Sequence, residues 1–456
     1  MIRFDGRQGP ADAAPASAYP DPVIPNWYRD AKLGIFVHWG LYSVPAWADV
    51  LDRRAVTAEN AYARHQYAEW YANTVRIEGS PTRERHERIY GLGHSYEDFA
   101  DEWHPADGAV AGIVDLARRA GAGYIVPTSK HHDGFCLWDS STTPFTAARR
   151  GPGRDLLAEF RDAAAASGLR LGLYYSGALD WHVSDFPPMT SNEELFALRR
   201  NDSSFASFAA AQLRELIAGY SPAILWNDIE WPDAGKHEGP DSLPQLLHEH
   251  LAAVPDGLIN DRWGSPVNGV LTREYDDITA VQEEVFESTR GLGLSFGYNA
   301  DESSEHSLDG AGVIRLLADV VSKNGNLLLN VGPRADGSVP ELQVAALEQL
   351  GAWMERHGDA IRGTRPWFHA AVRTPPENVR FTLSENALNV LLLDPAAGPV
   401  TLSPEVSAAV REIAIAPGNE PVRLIPEGDP GLDAVAVIRL PLRAADPQDP
   451  RQGAHR

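Results

Sequence analysis

The sequence predicts an α/β protein, with a (β/α)8-like barrel followed by a small antiparallel β-sandwich. Short apolar runs alternate with amphipathic helical patterns up to about residue 365, which is typical of the barrel. Beyond that point, strand-like segments are separated by Pro, Gly and Asp turns, which indicates a sandwich. A chain of 456 residues also exceeds what one hydrophobic core usually serves, so two folded units are expected.

Eight apolar runs are the candidate barrel strands, because each is short, continuous and bounded by Gly, Pro or Asn. They are residues 34–40, 124–132, 169–176, 223–229, 257–261, 279–285, 292–298 and 326–332. Amphipathic stretches such as 155–168 and 205–220 lie between several runs and are interpreted as crossover helices. Helical patterns are missing between 257 and 300, so we expect an irregular barrel there.

The pattern divides the chain into four parts. Residues 1–25 are rich in Ala, Pro and Asp and predict a flexible N-terminal arm. The barrel is assigned to 26–365, beginning with a helix near Pro25, and the sandwich to 366–443, with β-structure and no helix. The polar residues 444–456 predict a disordered tail. The candidate sandwich strands are residues 379–385, 388–394, 410–417 and 436–442.

Composition excludes several classes of protein. No stretch approaches the roughly 20 unbroken apolar residues that span a bilayer, so a membrane protein is not expected. The formal net charge of −23 disfavours nucleic acid, which is bound through clustered Lys and Arg. A single cysteine, Cys136, allows no intrachain disulfide and is interpreted as a small buried hydrophobe. The N-terminus lacks the features of a secretory signal, and we expect a cytoplasmic protein.

Polar and aromatic residues close five of the runs, at the end of the strand where barrel enzymes place their reactive groups. They are His38 and Trp39, the block 130–133, Tyr174 to Ser176, Asn227 with Asp228, and the block 261–263. Any one of them is explained equally well as a cap or a satisfied buried polar group. Five together predict a polar pocket with aromatic walls, which suits a sugar ring.

Glycoside hydrolysis requires two carboxyl groups, one on each side of the anomeric carbon. Asp228 is the strongest first candidate, because it closes the apolar run 223–229 and a tight turn follows it. Glu274, on a loop shortly after the fifth predicted strand, is a candidate for the second. Spacing alone does not choose between Glu274 and its competitors, which are Glu230, Asp233, Asp261, Glu283, Glu284 and Glu287.

Two sequence blocks, HHDGF (131–135) and LWND (225–228), occur in an order that is highly specific. On these blocks and on others such as NDRWG, TREY and NLLLNVGP, the chain resembles the glycoside hydrolase family 29 α-L-fucosidases over residues 25–365. The resemblance implies a retaining, exo-acting α-L-fucosidase that removes terminal α-L-fucose from oligosaccharides or glycosides through a fucosyl-enzyme intermediate, with no cofactor.

The resemblance also implies roles for individual residues. Asp228 falls on the family nucleophile, and Glu274, twelve residues beyond Arg262, falls on the acid/base. Further residues fall on positions that hold fucose and orient the nucleophile, namely His38, Glu69, Trp70, His131, His132, Tyr174, Trp226, Arg262 and Phe296.

Two other functions stay open at this stage. One is a non-catalytic fucose-binding protein, which the presence of both carboxyl residues disfavours. The other is a metal-dependent hydrolase using His38, His131 and His132 with Asp228. Adjacent residues on a strand point to opposite faces, and no carboxylate lies at ligand spacing, so we favour neutral imidazoles that bind sugar hydroxyls over a metal site.

The side chains themselves support a fucose pocket. Tyr174 reaches the nucleophile if its face of the strand points inward. Fucose also carries an apolar methyl group, and an apolar patch is predicted from Phe36, Trp47, Trp70 and Phe296. The sequence does not choose among fucosyl linkages or oligomeric states.

Overall fold

The computed structural model describes residues 13–51, 55–416, 421–426 and 434–443. Within them, the larger part of the chain forms a parallel sheet curled into a barrel, with strand order β5-β4-β3-β2-β1-β8-β7-β6. Its strands are β1 (Leu33–Val37), β2 (Tyr124–Lys130), β3 (Arg170–Ser176), β4 (Ile224–Asp228), β5 (Leu258–Ile259), β6 (Leu271–Glu274), β7 (Phe286–Gly291) and β8 (Gly325–Val331).

The barrel is almost closed, and its seam lies between β5 and β6. One parallel bridge joins Asn260 to Val270 across the seam. The Val270 N–H donates to the Ile259 carbonyl at 2.9 Å. Neither β5 nor β6 is followed directly by a helix, so the predicted irregularity between 257 and 300 is confirmed.

The same part of the chain contains helices, several of which pack on the outer face of the barrel. They are α1 (Asn26–Ala31), α2 (Tyr71–Thr74), α3 (Pro81–Tyr90), α4 (Phe99–Glu102), α5 (Ala109–Arg119), α6 (Leu156–Ser167), α7 (Asn192–Ala197), α8 (Ser203–Tyr220), α9 (Leu243–Ala253), α10 (Gly310–Ser322) and α11 (Glu341–His357). Several begin at a side-chain cap. Asp155, Asp202, Ser242 and Asp309 each accept the backbone N–H three residues further on, which satisfies a donor that the first helical turn leaves unpaired.

Two hydrophobic cores result from this arrangement. The apolar faces of the helices pack on the outer face of the sheet, and aromatic and aliphatic side chains fill the barrel interior. Phe36, Tyr124, Tyr174 and Trp226 are among the interior residues, all almost fully buried. The interior of the barrel is therefore a packed core.

Six of the eight predicted barrel strands are correct, and two are wrong. Residues 279–285 and 292–298 are irregular, and the sixth and seventh strands are β6 and β7 instead. The prediction used apolar runs to find strands, whereas both true strands carry polar side chains toward the barrel interior or its mouth. These are Thr272, Glu274, Glu287 and Thr289.

Beyond the barrel lie a four-stranded antiparallel sheet and a separate sheet of two strands. The elements are β9 (Arg365–Pro366), β10 (Val379–Leu383), β11 (Ala387–Leu392), β12 (Val400–Thr401), α12 (Pro404–Ile413), β13 (Arg423–Leu424) and β14 (Ala436–Pro441). The four-stranded sheet has the order β14-β11-β10-β9.

The prediction that this part contains no helix is wrong, as is the predicted strand 410–417. Ser403 caps α12 by accepting the Val406 N–H, and Pro404 occupies the first turn. Val406 and Val410 are buried one helical turn apart, so the apolar residues follow a helical period.

The predicted N-terminal arm is described from residue 13 onward. Residues 13–25 lie against the barrel, where Ala14 and Tyr19 are buried and the Ala14 N–H donates to the Lys236 carbonyl at 2.8 Å. Residues 13–25 are therefore packed against the barrel, and the flexibility of the arm stays a prediction. Residues 1–12 and the predicted tail 444–456 lie outside the described residues. No helix in the described part of the chain is long and apolar enough to span a membrane.

Candidate active site

One pocket opens at the carboxyl ends of the barrel strands. Its lining includes both predicted catalytic residues and all nine residues predicted to hold fucose and orient the nucleophile, together with Phe36, Tyr67, Ile229 and Thr289. Most of these side chains stand at or just after a strand end. Glu69 and Trp70 instead belong to a short 3-10 helix (Ala68–Trp70), and Phe296 belongs to the loop after β7.

Asp228 ends β4 and is 9% exposed. Its Oδ2 accepts the Tyr174 hydroxyl at 3.0 Å, and its Oδ1 accepts Nη1 of Arg262 at 3.0 Å. The face of β3 that carries Tyr174 thus points inward. Both carboxylate oxygens are held by donors, which fixes the direction in which Asp228 faces the pocket.

Glu274 ends β6, so its expected position on a loop is wrong. Its Oε2 accepts Nη2 of Arg262 at 2.9 Å, and its Oε1 accepts the Tyr67 hydroxyl at 3.2 Å. Arg262 therefore binds Asp228 with one terminal nitrogen and Glu274 with the other, and its Nε donates to Thr272 at 2.9 Å. The planar Arg262 guanidinium thus fixes the positions of the Asp228 and Glu274 carboxyl groups relative to each other.

The charge of Arg262 is secured by this arrangement. Burial alone acts to lower the pKa of Arg262, but the carboxylates of Asp228 and Glu274 outweigh burial and raise it above its usual value.

The other candidates for the second carboxyl are engaged elsewhere. Glu287 lies in the barrel interior, where it accepts Tyr28, Tyr124 and Trp226. Glu230 and Asp233 pair with Lys236, Asp261 accepts Thr272, and Glu283 and Glu284 line a separate surface depression. Of the alternatives considered from the sequence, Glu274 is the one that lines the pocket with Asp228.

His132 presents a hydrogen-bond acceptor to the pocket. The Ser176 hydroxyl donates its proton to the Leu179 carbonyl at 2.6 Å, so it can only accept from Nδ1 of His132 at 2.7 Å. Burial lowers the pKa of His132 to about 3, and the ring is neutral. Its Nε2, which lies 3.8 Å from Asp228 Oδ2, consequently carries no proton.

His38 also presents a hydrogen-bond acceptor to the pocket. The Asn330 amide donates to the Phe296 carbonyl at 2.6 Å, which directs its Oδ1 toward Nδ1 of His38 at 2.7 Å. Nδ1 therefore carries the proton. Burial lowers the pKa of His38 to about 3, so its Nε2 is a second bare acceptor.

His131 and His132 do not point to opposite faces, contrary to the expectation from strand geometry. Strand β2 ends at Lys130, and the chain then turns, with the Gly134 N–H donating to the His131 carbonyl. The two rings lie 4.1 Å apart and both line the pocket. The described residues contain no group of three or more His, Cys, Asp or Glu placed to hold a metal ion.

Aromatic rings form an apolar side of the pocket. Phe36 lies 5.0 Å from Trp226 and 6.4 Å from Phe296, centroid to centroid. Trp226 donates its indole N–H to Glu287, and the Arg262 guanidinium stands 4.8 Å from its ring. Trp47 is absent from the lining, since its indole donates to Asp301 away from the pocket.

Glu69 is a third carboxyl in the pocket. Its Oε2 accepts the Gly297 N–H at 2.7 Å and the Ser295 hydroxyl at 3.2 Å. Burial nevertheless raises the pKa of Glu69 to about 7. Tyr67, which sequence reasoning missed, stands two residues before Glu69, and its nearness to Glu69 and Trp70 is the signal that points to it.

Comparison with known proteins places this pocket in a family. The model of the family described as alpha-L-fucosidase matches residues 13–359. The α-L-fucosidase of Dictyostelium discoideum is 29% identical over 387 residues, covering 80% of this chain and 77% of that protein.

Two solved structures of the Thermotoga maritima α-fucosidase show the same fold. One has a TM-score of 0.79 at 38% identity and covers 92% of this chain and 97% of the other. The second, a complex with a mechanism-based inhibitor, has a TM-score of 0.80 at 37% identity, with the same coverage. This chain belongs to the α-L-fucosidase family of glycoside hydrolases.

Proposed function

We propose that the protein is a retaining, exo-acting α-L-fucosidase with Asp228 as nucleophile and Glu274 as acid/base. The observation that carries the proposal is the Arg262 fork, which holds two carboxyl groups from different strands at the mouth of one pocket. Two carboxyl groups flanking one anomeric carbon are the requirement for double displacement. The solved complex of the Thermotoga maritima relative with a mechanism-based inhibitor supports the same chemistry.

In the first step, an Asp228 oxygen attacks C1 of fucose while the bond from C1 to the leaving oxygen breaks. Glu274 gives its proton to that oxygen. In the second step, the Glu274 carboxylate takes a proton from water, whose oxygen attacks C1 and breaks the bond to Asp228. Fucose leaves with its original anomeric configuration, and both carboxyl groups return to their starting states.

The pocket walls explain why fucose is the favoured glycone. The unprotonated Nε2 atoms of His38 and His132 accept hydrogen bonds from sugar hydroxyls. Phe36, Trp226 and Phe296 offer an apolar surface to the C6 methyl group. Phe36 and Trp226 lie in the barrel interior and close the pocket from below, as expected of a pocket for a terminal sugar.

The test uses two measurements on the same enzyme. Proton NMR of aryl α-L-fucoside hydrolysis is expected to show α-fucose as the first product, before mutarotation. Mass spectrometry after treatment with a mechanism-based fucosyl inhibitor is expected to locate the adduct on Asp228. First release of the β-anomer, or an adduct on another residue, contradicts the proposal.

Substrate class is tested with a panel of aryl glycosides, namely α-L-fucoside, β-L-fucoside, β-D-galactoside and α-L-arabinoside. We expect the α-L-fucoside to be hydrolysed fastest, with the same rate before and after treatment with a chelator. Fucose binding without turnover indicates the non-catalytic alternative. Loss of activity on chelation, with recovery on adding a divalent metal, indicates the metal-dependent one.

A further inference from the structure

The chain leaves β4 through an unusual turn. Ile229 and Glu230, the two residues after Asp228, both have positive φ, at 57° and 60°. Neither residue is glycine, and this left-handed region is unfavourable for a β-branched side chain such as that of Ile229. Such a conformation persists only where the surrounding structure holds it, and it is concentrated at functional sites.

Buried charges hold this turn. The Glu230 carboxylate accepts Nη2 of Arg199 at 2.8 Å and Nζ of Lys236 at 3.1 Å. Arg199 also donates through Nη1 to the Ile229 carbonyl at 3.2 Å, so it binds both left-handed residues. All three charged side chains are at most 8% exposed.

The backbone of the turn is tied to both neighbouring strand ends. The Glu230 N–H donates to the carbonyl of Arg262, the residue whose guanidinium binds Asp228. On the other side, Ala178 donates to the Glu230 carbonyl and Gly177 to the Asp228 carbonyl. A shift of the turn would therefore move Asp228 relative to its own hydrogen-bond partners.

Stability alone is a weak reason to bury these charges, because a buried ion pair often adds little against a well-packed apolar replacement. Arg199, Glu230 and Lys236 do not line the pocket, so substrate binding is no explanation either. Their shared contact is the turn that follows Asp228.

We propose that Arg199, Glu230 and Lys236 form a positioning cluster, which holds the strained turn 229–230 and thereby orients the Asp228 carboxylate for attack on the anomeric carbon. The inference rests on the proposed function, in which Asp228 is the nucleophile. The three residues act through Asp228 and touch no substrate.

Two variants disturb the turn by different routes. Glu230→Gln keeps the size of the side chain and removes its charge. Gly177→Ala leaves every charge in place, but its new Cβ would lie 2.0 Å from the Glu230 carbonyl oxygen and push the turn away. For both variants we expect kcat on aryl fucoside to fall by about tenfold or more, because small misplacements of a reacting group are costly. KM and the inhibition constant of fucose should stay within about twofold, as neither Glu230 nor Gly177 lines the pocket.

Each variant is also made in an Asp228→Ala background and assayed with azide, which replaces the missing nucleophile. With no side chain left to orient, adding Glu230→Gln should cost no further activity. The matched control is Asp319→Asn, which breaks the Lys323–Asp319 pair (2.6 Å) just before β8, at the opposite end of the barrel. It should leave kcat unchanged while lowering the melting temperature.

A wild-type kcat in Glu230→Gln, or a loss of fucose affinity equal to the loss of kcat, overturns the inference. The inference is also overturned if adding Glu230→Gln to Asp228→Ala lowers the azide-restored activity as much as it lowers the activity of the wild type. Such a loss shows an effect that does not pass through the Asp228 side chain. High activity of Asp228→Ala without azide overturns the proposed function as well, and the two failures are thus told apart.

Discussion

Two of the carboxyl groups in the pocket, those of Asp228 and Glu274, end strands in differently built parts of the barrel. β4, which carries Asp228, pairs with β3 and β5. β6, which carries Glu274, pairs along its length with β7 alone and meets β5 only through the bridge at Val270. Asp228 is thus held inside regular structure, whereas Glu274 stands at the seam.

The partners of the two groups differ in the same way. Besides Arg262, Asp228 is bound by Tyr174, which belongs to the neighbouring strand β3. Glu274 is bound by Tyr67, which belongs to the irregular segment before the 3-10 helix. Its side chain is also more exposed, at 22% against 12%. The proposed nucleophile is thus held by a neighbouring strand, whereas the proposed acid/base is held by a tyrosine from an irregular segment.

Replacement of Asp228 is expected to have the largest effect. In the proposed mechanism, Asp228→Ala removes the atom that forms the covalent intermediate, so kcat should fall by roughly 10⁴-fold or more on every substrate, whatever its leaving group. Azide should restore turnover and give a product of inverted configuration. Steady-state rates on an aryl fucoside and a fucosyl oligosaccharide test this, and unequal losses on the two would weaken the assignment.

Glu274→Ala should separate the two substrates. An activated aryl leaving group scarcely needs protonation, so its first step should survive while hydrolysis of the intermediate slows and a burst of phenol appears. An oligosaccharide should lose about 10²–10⁴-fold in rate. Near-normal activity on the oligosaccharide would reject Glu274 as the acid/base and leave Asp228 unaffected. Glu283→Ala is the matched control, because Glu283 is exposed outside the pocket.

Of the two strands that carry these carboxyl groups, the sequence predicted β4 and did not predict β6. β4 was predictable because its apolar run ends abruptly at Asn227 and Asp228, and both of its faces are buried. β6 and β7 were not predictable, because their inward side chains near the seam are polar, and a polar sequence is typical of a loop. Tyr67 was missed for a related reason, since it reaches the pocket from a segment with no strand pattern.

Two substitutions that each remove a tyrosine hydroxyl test whether the contact to Asp228 matters more than the contact to Glu274. Tyr174→Phe removes the 3.0 Å hydrogen bond to Asp228, and Tyr67→Phe removes the 3.2 Å hydrogen bond to Glu274. A hydrogen bond to a charged group contributes about 1.5–3 kcal/mol, so we expect about a tenfold or larger loss of kcat for Tyr174→Phe. The loss for Tyr67→Phe should be smaller and greater on oligosaccharides than on aryl fucosides. Equal, substrate-independent losses would contradict the contrast.

The smallest expected effect concerns Glu69 and the pH dependence of stability. Burial raises the pKa of Glu69 from its usual 4.5 to about 7. The folded chain then keeps this proton up to about pH 7, whereas the unfolded chain releases it near pH 4.5. The free energy of unfolding should therefore fall as the pH rises through this window. Glu69→Gln removes that decline, and thermal melts should find it similar to the wild type at pH 4.5 and about 1–3 kcal/mol more stable at pH 8.

Glu230→Gln provides a control of opposite sign. Burial acts to raise the pKa of Glu230, but Arg199 and Lys236 outweigh burial and hold it below the usual value. This carboxylate contributes stability above pH 4.5, which is lost as the pH falls through its lowered pKa. Glu230→Gln should accordingly be less stable than the wild type at pH 8 and approach it in acid. If the two variants shift the melting temperature in the same direction at pH 8, burial does not dominate at Glu69, and its carboxylate is stabilised in the pocket like that of Glu230.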